Sequence, residues 1–355
     1  MDRRWKQLGE LLVSYSVGVK PGEKVMIAMG EVESLPLVRG VHEAVIRAGG
    51  LPQVQFLSET LRHQLLKHGS KDQLSWVPEV EAWGMEWADA YIGLRGAANI
   101  HEHDDIPADR LSMNQGAMGK VSRLRWEKTR WCLVRVPNAA FAQSAETDEE
   151  TITEMFFNAS LLDWNREGEK LREWARRLDA GSTVRVLGDG TDLSFSVKGR
   201  RWLAGDGRIN MPDGEIMTAP VEDSVNGAIS FEFPGVLSGR LIRNISLLFK
   251  DGRVVEAASS TNRDFLRSVI ATDDGSCRVG EFAFGTNMGV DRFCNDILID
   301  EKIGGTVHLA LGRSYPECGG KNNSAIHWDI VKDLRVGGSV QVDGRTVLEN
   351  GKFLL

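Results

Sequence analysis

Apolar positions along this chain follow two different periods, and the change falls near its middle. Residues 3–17 place Leu8, Leu11, Leu12 and Tyr15 at helical spacing, and Lys20-Pro21-Gly22-Glu23 then reads as a turn. The apolar run Lys24 to Met29 predicts a buried strand. Leu35 to Ala48 predicts a helix closed by Gly49-Gly50, and Pro52 to Leu57 the next strand. Strand, helix, strand in that order implies a right-handed parallel crossover. Ala90 to Leu94 and Trp131 to Val136 continue the pattern. The expected fold class is therefore α/β, with a doubly wound N-terminal domain over residues 1–145.

Residues 146–180 are polar and helical in period. Glu149, Glu150 and Glu154 lie near the start and Arg172, Arg176 and Arg177 near the end, which suits the helix dipole. This stretch is expected to be a connector. From residue 181 to 355 short strands dominate: 184–187, 192–197, 227–233, 242–249, 254–258, 281–285, 306–311 and 326–330. Turn signals such as Lys250-Asp251-Gly252-Arg253 and Val342-Asp343-Gly344-Arg345 separate them. The second half is thus expected to be a β-rich α+β domain.

Composition narrows the function. A chain of 355 residues implies two domains, and 42% hydrophobic with 26% charged residues is ordinary globular composition. A formal net charge of -7 argues against a general nucleic-acid binder. No apolar run approaches the ~20 residues of a membrane span. Glu10 interrupts the N-terminal amphipathic stretch where a secretory signal would be apolar, so the cytoplasm is the expected compartment. The four cysteines, Cys132, Cys277, Cys294 and Cys318, form no C-x-x-C pair and read as free thiols.

The chemistry-bearing residues concentrate in the β-rich half. His308 and His327 each sit in an otherwise apolar strand. His327 and Asp329 are two apart, so both side chains leave the same strand face. Glu281 and Glu215 each begin an apolar run, where a carboxylate is costly to bury without a cation or partner. Spacing alone leaves a metal site and a set of satisfied structural groups equally open. The run His101-Glu102-His103-Asp104-Asp105 reads as a solvated charge cluster. Gly188-Asp189-Gly190 reads as a turn, and a nicotinamide-binding glycine motif is missing after the first strand.

Four ordered motifs carry a family resemblance. The segment Met211-Pro212-Asp213-Gly214-Glu215-Ile216-Met217-Thr218-Ala219-Pro220 resembles the signature of the thermophilic-type metalloaminopeptidases, the aminopeptidase T and S group. Gly280-Glu281-Phe282-Ala283 is similar to their second acidic motif. His308-Leu309-Ala310-Leu311-Gly312 with Tyr315 resembles their histidine–tyrosine motif, and His327-Trp328-Asp329 their final pair. Residues 137–145 also match a segment before the family's connector helix. The resemblance spans nearly the whole chain. It implies two divalent metal ions (Zn, Co or Mn), one held by Glu215 and His308, the other by His327 and Asp329, with Glu281 bridging. It implies catalytic roles for Tyr315 and Glu281, and sets Glu301 near the site with a two-residue shift. It further implies a homodimer acting on small peptides or amides. The eleven residues between Tyr315 and His327 are fewer than the family usually has there.

The leading expectation is a dimetal hydrolase releasing N-terminal amino acids. One alternative is an amidase for a non-peptide amide. Another, on the same fold, is a mononuclear iron dioxygenase opening dihydroxypyridine rings. Those enzymes resemble this chain in the His-x-Asp pair but carry histidine at the Glu281 position and lack the His308 equivalent. A non-catalytic binding protein would have damaged ligands, and all five are in place.

Overall fold

The computed structural model describes residues 2–96, 99, 101–125, 128–237 and 239–355. The chain divides into two compact units: Met1–Leu161 with Gly207–Pro212, and Leu162–Asp206 with Asp213–Leu355. The stretch expected as a connector forms two helices, Glu149–Ser160 and Trp164–Leu178, one in each unit. Asp148 and Asp163 cap them by accepting from the backbone N–H of Thr151 and Arg166.

The first unit is built on a parallel sheet. Strands β1 (Lys24–Gly30), β2 (Leu51–Leu57), β3 (Ala90–Gly96) and β4 (Arg130–Val136) lie in the order β2-β1-β3-β4, with helices between them in sequence. The two-residue strand Asn210–Met211 pairs parallel to β4 as a fifth member. That addition is invisible to local patterning, because it arrives from far along the chain. Helix α1 (Arg3–Leu11) packs on α2 (Leu35–Arg47) through facing glycines. A Cβ on Gly9 would lie 2.4 Å from the Gly40 carbonyl carbon, so neither helix could carry a side chain there without separating. The helix expected over residues 3–17 loosens part-way: after Leu11 it continues as a wider turn, Leu12–Ser16.

The second unit holds an eight-stranded sheet and a five-stranded antiparallel sheet, with apolar side chains of both in one core. Val186, Leu193 and Phe195 of the larger sheet join Ile216, Phe282, Phe284, Leu309, Trp328 and Ile330 of the smaller one. The apolar stretch 242–249, expected as one strand, is broken into Arg240–Ile242 and Ser246–Lys250, with Asn244 between them at φ 52°. Its hydrophobicity reflects burial in two short strands. No helix among the described residues is long and apolar enough to cross a membrane.

The smaller sheet positions the chemistry. Its strands are β5 (Glu215–Thr218), β6 (Val279–Gly285), β7 (Thr306–Gly312) and β8 (His327–Asp333), in the order β8-β7-β6-β5, with Leu203–Gly205 at the edge. Strands β6 and β7 are buried throughout, so both faces of the sheet are covered.

Candidate active site

Alternation along the four strands sorts their side chains onto two faces. One face sends Ile216, Phe282, Phe284, Val307, Leu309, Leu311, Trp328 and Ile330 into the core. The other carries Glu215, Glu281, His308, His327 and Asp329, with small Ala283, Gly285, Ala310 and Gly312 among them. The register brings these together: Ala283 opposes His308, Glu281 opposes Ala310, Ala310 opposes Asp329, and Gly312 opposes His327. Small residues at the intervening positions leave room for the long ones to converge.

Alternation with Phe282 and Phe284 places Glu281 on this face, and an irregularity lies just before it. Val279 pairs with Leu311 and Glu281 with Ala310, so one extra residue, Gly280, is accommodated in β6. In a regular strand Val279 and Glu281, two apart, would share a face. Here Val279 joins the core while Glu281 joins the site. Gly280 is required there: a Cβ would lie 2.2 Å from the Gly312 carbonyl oxygen.

All five residues named from the sequence meet on this face. Glu281, His327 and Asp329 bring ligand atoms within 4.8 Å of one another, and so do Glu215, Glu301 and His308. Glu281 stands between the groups: Oε1 is 3.5 Å from His308 Nε2, and Oε2 is 3.2 Å from His327 Nε2. His327 Nε2 is also 3.4 Å from Asp329 Oδ2, and His308 Nε2 is 3.5 Å from Glu215 Oε2. Glu301, displaced by two residues in sequence spacing, therefore converges on the site. Tyr315 sets its ring edge against His327, centroids 5.2 Å apart, and is 37% exposed.

The donor set fits divalent metal ions. Glu215 Oε2, Asp329 Oδ1 and both ring nitrogens of His308 are buried without a hydrogen-bond partner among the described residues. Orphaned polar atoms at this density are costly unless a cation takes its place among the ligands. Carboxylate and imidazole without thiolate suits Zn, Co or Mn.

Electrostatics carry the same message. Burial pushes Glu215 up to about 8 against the opposing pull of an ammonium, Lys302. Burial likewise raises Asp329 to about 6, with His327 opposing. Burial would also raise Glu281, but the imidazoles of His308 and His327 outweigh it and hold the carboxyl at about 2. Burial would lower both histidines. Glu281 and Glu215 instead raise His308 to about 9, and Asp329 and Glu281 raise His327 to about 10. In the metal-free protein these protons stand where cations would. Loss of solvent and the surrounding carboxylates push the Tyr315 phenol up, keeping it neutral and able to donate.

Two buried residues escaped the sequence reading. Lys302 is wholly buried against Glu215 and Glu301, and Asp213 lies nearby. The available signal was the surplus of acidic groups: so many buried carboxylates need a compensating charge. His101-Glu102-His103-Asp104-Asp105 makes ion pairs, His103 with Glu59 at 2.8 Å and Asp105 with His63 at 2.7 Å, on the first unit's surface. It is not among the metal-holding groups of the described residues.

A sheet face bearing paired carboxylate–histidine clusters has the build of a metalloenzyme. The chain belongs to the thermophilic metalloprotease (M29) family, whose model matches residues 1–353. Aminopeptidase 2 of Geobacillus stearothermophilus is 26% identical over 406 residues, covering 97% of this chain and 96% of that protein. Aminopeptidase T of Thermus thermophilus is 25% identical over 355 residues, covering 89% and 86%. The solved structure of wild-type AmpT from Thermus thermophilus has the same fold, with TM-score 0.89, 24% identity and 99% of each chain covered. A 2,5-dihydroxypyridine dioxygenase from Pseudomonas putida is more distant, with TM-score 0.63 and 13% identity over 99% of this chain and 96% of that one. The protein is thus a hydrolase of the metallopeptidase type, with the fold and family expected from its motifs.

Proposed function

We propose that this hydrolase is an aminopeptidase using two divalent ions on the polar face of the β5–β8 sheet. Glu215, Glu301 and His308 would hold one ion, and His327 and Asp329 the other. Glu281, between the two histidines, would bridge them. The carrying observation is this convergence of acidic and imidazole groups, several with buried atoms that lack a hydrogen-bond partner among the described residues. The names of the relatives support a free N-terminus as the substrate feature.

Bound ions would polarise the scissile carbonyl and make a shared water acidic enough to attack at neutral pH. The protein's own groups then have defined tasks. Glu281 holds the negative charge that offsets repulsion between two cations. His327 keeps its orientation through Nδ1, which donates to the Arg313 carbonyl oxygen. Tyr315 offers a neutral O–H to the oxyanion of the tetrahedral intermediate. A cytoplasmic location, from the polar N-terminal stretch, and a homodimer, from the family resemblance, remain part of this reading.

Metal analysis of the purified protein, paired with a screen of amino-acid amides and dipeptides, tests it. About two ions per chain and chelator-sensitive release of N-terminal residues support the proposal. A single iron with oxygen consumption would sink it.

A further inference from the structure

Lys302 gives the two halves of the site different electrostatic surroundings. Its Nζ lies 2.5 Å from Glu215 Oε1, 2.6 Å from Glu301 Oε1 and 3.7 Å from Asp213 Oδ1, and its side chain has no solvent exposure. One ammonium thus serves three carboxylates beside His308. The half formed by Glu281, His327 and Asp329 differs: among the described residues, its carboxylates form ion pairs with imidazoles only.

The contact leaves Glu215 divided. Oε1 accepts from Lys302, while Oε2, buried and without a hydrogen-bond partner among the described residues, turns toward His308 at 3.5 Å. Glu301 meets the same ammonium through one oxygen. A fixed positive charge at this range, inside a water-poor site, repels any second cation that Glu215 and Glu301 receive. It also stops those carboxylates from repelling each other when no metal is bound.

We propose that Lys302 is a resident cation that makes the two metal positions unequal. The Glu281–His327–Asp329 half fills first, and the Glu215–Glu301–His308 half fills second and more weakly. Lys302 is a positioning residue in this scheme: it holds two ligand carboxylates in place and sets the order of loading. The inference rests on the two-ion reading above.

Titration of the metal-free, full-length protein with Co(II), followed by calorimetry and visible absorption, tests it. Wild type should bind two ions in steps of unequal affinity. Lys302→Met should tighten the weaker step by about 10-fold or more, since a repelling charge is removed. The same variant should melt at a lower temperature when metal-free, because buried carboxylates lose their counter-charge. Lys302→Arg, which keeps the charge, should keep the inequality. Lys302→Gln, which keeps a donor without the charge, should tighten the weaker step as Met does, and serves if the Met variant does not fold. A purely structural lysine predicts the opposite sign, with metal binding weakened alongside stability. Equal steps in wild type, or a weaker step in the neutral variants that is unchanged or weaker still, would overturn the proposal. Uptake of fewer than two ions by wild type would instead overturn the two-ion reading, and this inference with it.

Discussion

The Nδ1 of His327 lies 2.7 Å from the carbonyl oxygen of Arg313, and that contact decides which ring nitrogen faces the carboxylates. A carbonyl oxygen only accepts, so Nδ1 carries the proton and Nε2 points at Glu281 and Asp329. Gly312 pairs with His327 in the strand ladder, and the Arg313 N–H donates to the Ile326 carbonyl oxygen at 2.7 Å. Strand pairing itself therefore orients the imidazole.

Replacing Glu281 removes the group common to both halves. Glu281→Ala should lower metal content at both positions, and turnover should fall to near background. Metal analysis after dialysis checks this. A variant that retains two tightly held ions and full activity would take the bridging role away from Glu281.

Loss of the Tyr315 hydroxyl should act on the transition state. Tyr315→Phe is expected to keep both ions and near-normal KM, while kcat and kcat/KM fall together by about 10²–10³-fold. If the phenol were merely packed against His327, steady-state rates would stay unchanged while the melting temperature shifted slightly.

Asp273 anchors the short segment between Tyr315 and His327. Its Oδ2 accepts from Ser324 Oγ at 3.0 Å and from the Ala325 N–H at 2.8 Å, and its Oδ1 accepts from the N–H groups of Gly275 and Ser276. Asp273→Ala strands these donors and frees the segment. Melting temperature should fall, and misplacement of Tyr315 should reduce turnover by up to about 10²-fold. Kinetics at a temperature where the variant is fully folded separate the two effects. Unaltered turnover there would show that Tyr315 does not depend on this anchor.

Acidity should act oppositely on the metal-free and metal-loaded forms. In the metal-free protein, His308 is raised to about 9 and His327 to about 10. Their stabilising contribution is complete below the unfolded value of about 6.5 and is lost as pH rises through those folded values. Glu215, raised to about 8 by burial, likewise favours the metal-free fold only while protonated. Metal binding instead gains from deprotonation. The gap in melting temperature between metal-replete and chelator-treated protein should therefore widen from about pH 6.5 to about pH 9. Paired melting curves measure it, and a gap that narrows or stays constant would contradict this account of the site.

Most of the site was legible because a charged residue inside an apolar strand is a local signal. Glu215, Glu281, His308, His327 and Asp329 all announce themselves in that way, and the two-residue spacing of His327 and Asp329 fixes a shared face. The parallel core of the first unit was equally readable from its apolar runs. What escaped depends on distance or backbone detail. Asn210–Met211 joins β4 across more than seventy positions of sequence, beyond any local window. Gly280 is one glycine among 38 until the ladder shows it as the extra residue that sets Val279 and Glu281 on opposite faces. Lys302 gives no local signal, because its carboxylate partners Glu215 and Asp213 lie on a different stretch of chain.

Core and site residues alternate along β6, β7 and β8, so these strands tolerate two kinds of change very differently. A point substitution on the polar face removes a ligand and spares the packing, which leaves a folded descendant without activity. A single inserted or deleted residue exchanges the faces, pushing carboxylates into the core and aromatic rings toward the metals. Such a change loses structure and chemistry together. Changes in length are accordingly expected to be tolerated in connections such as 313–326 far better than within the strands that carry the polar face.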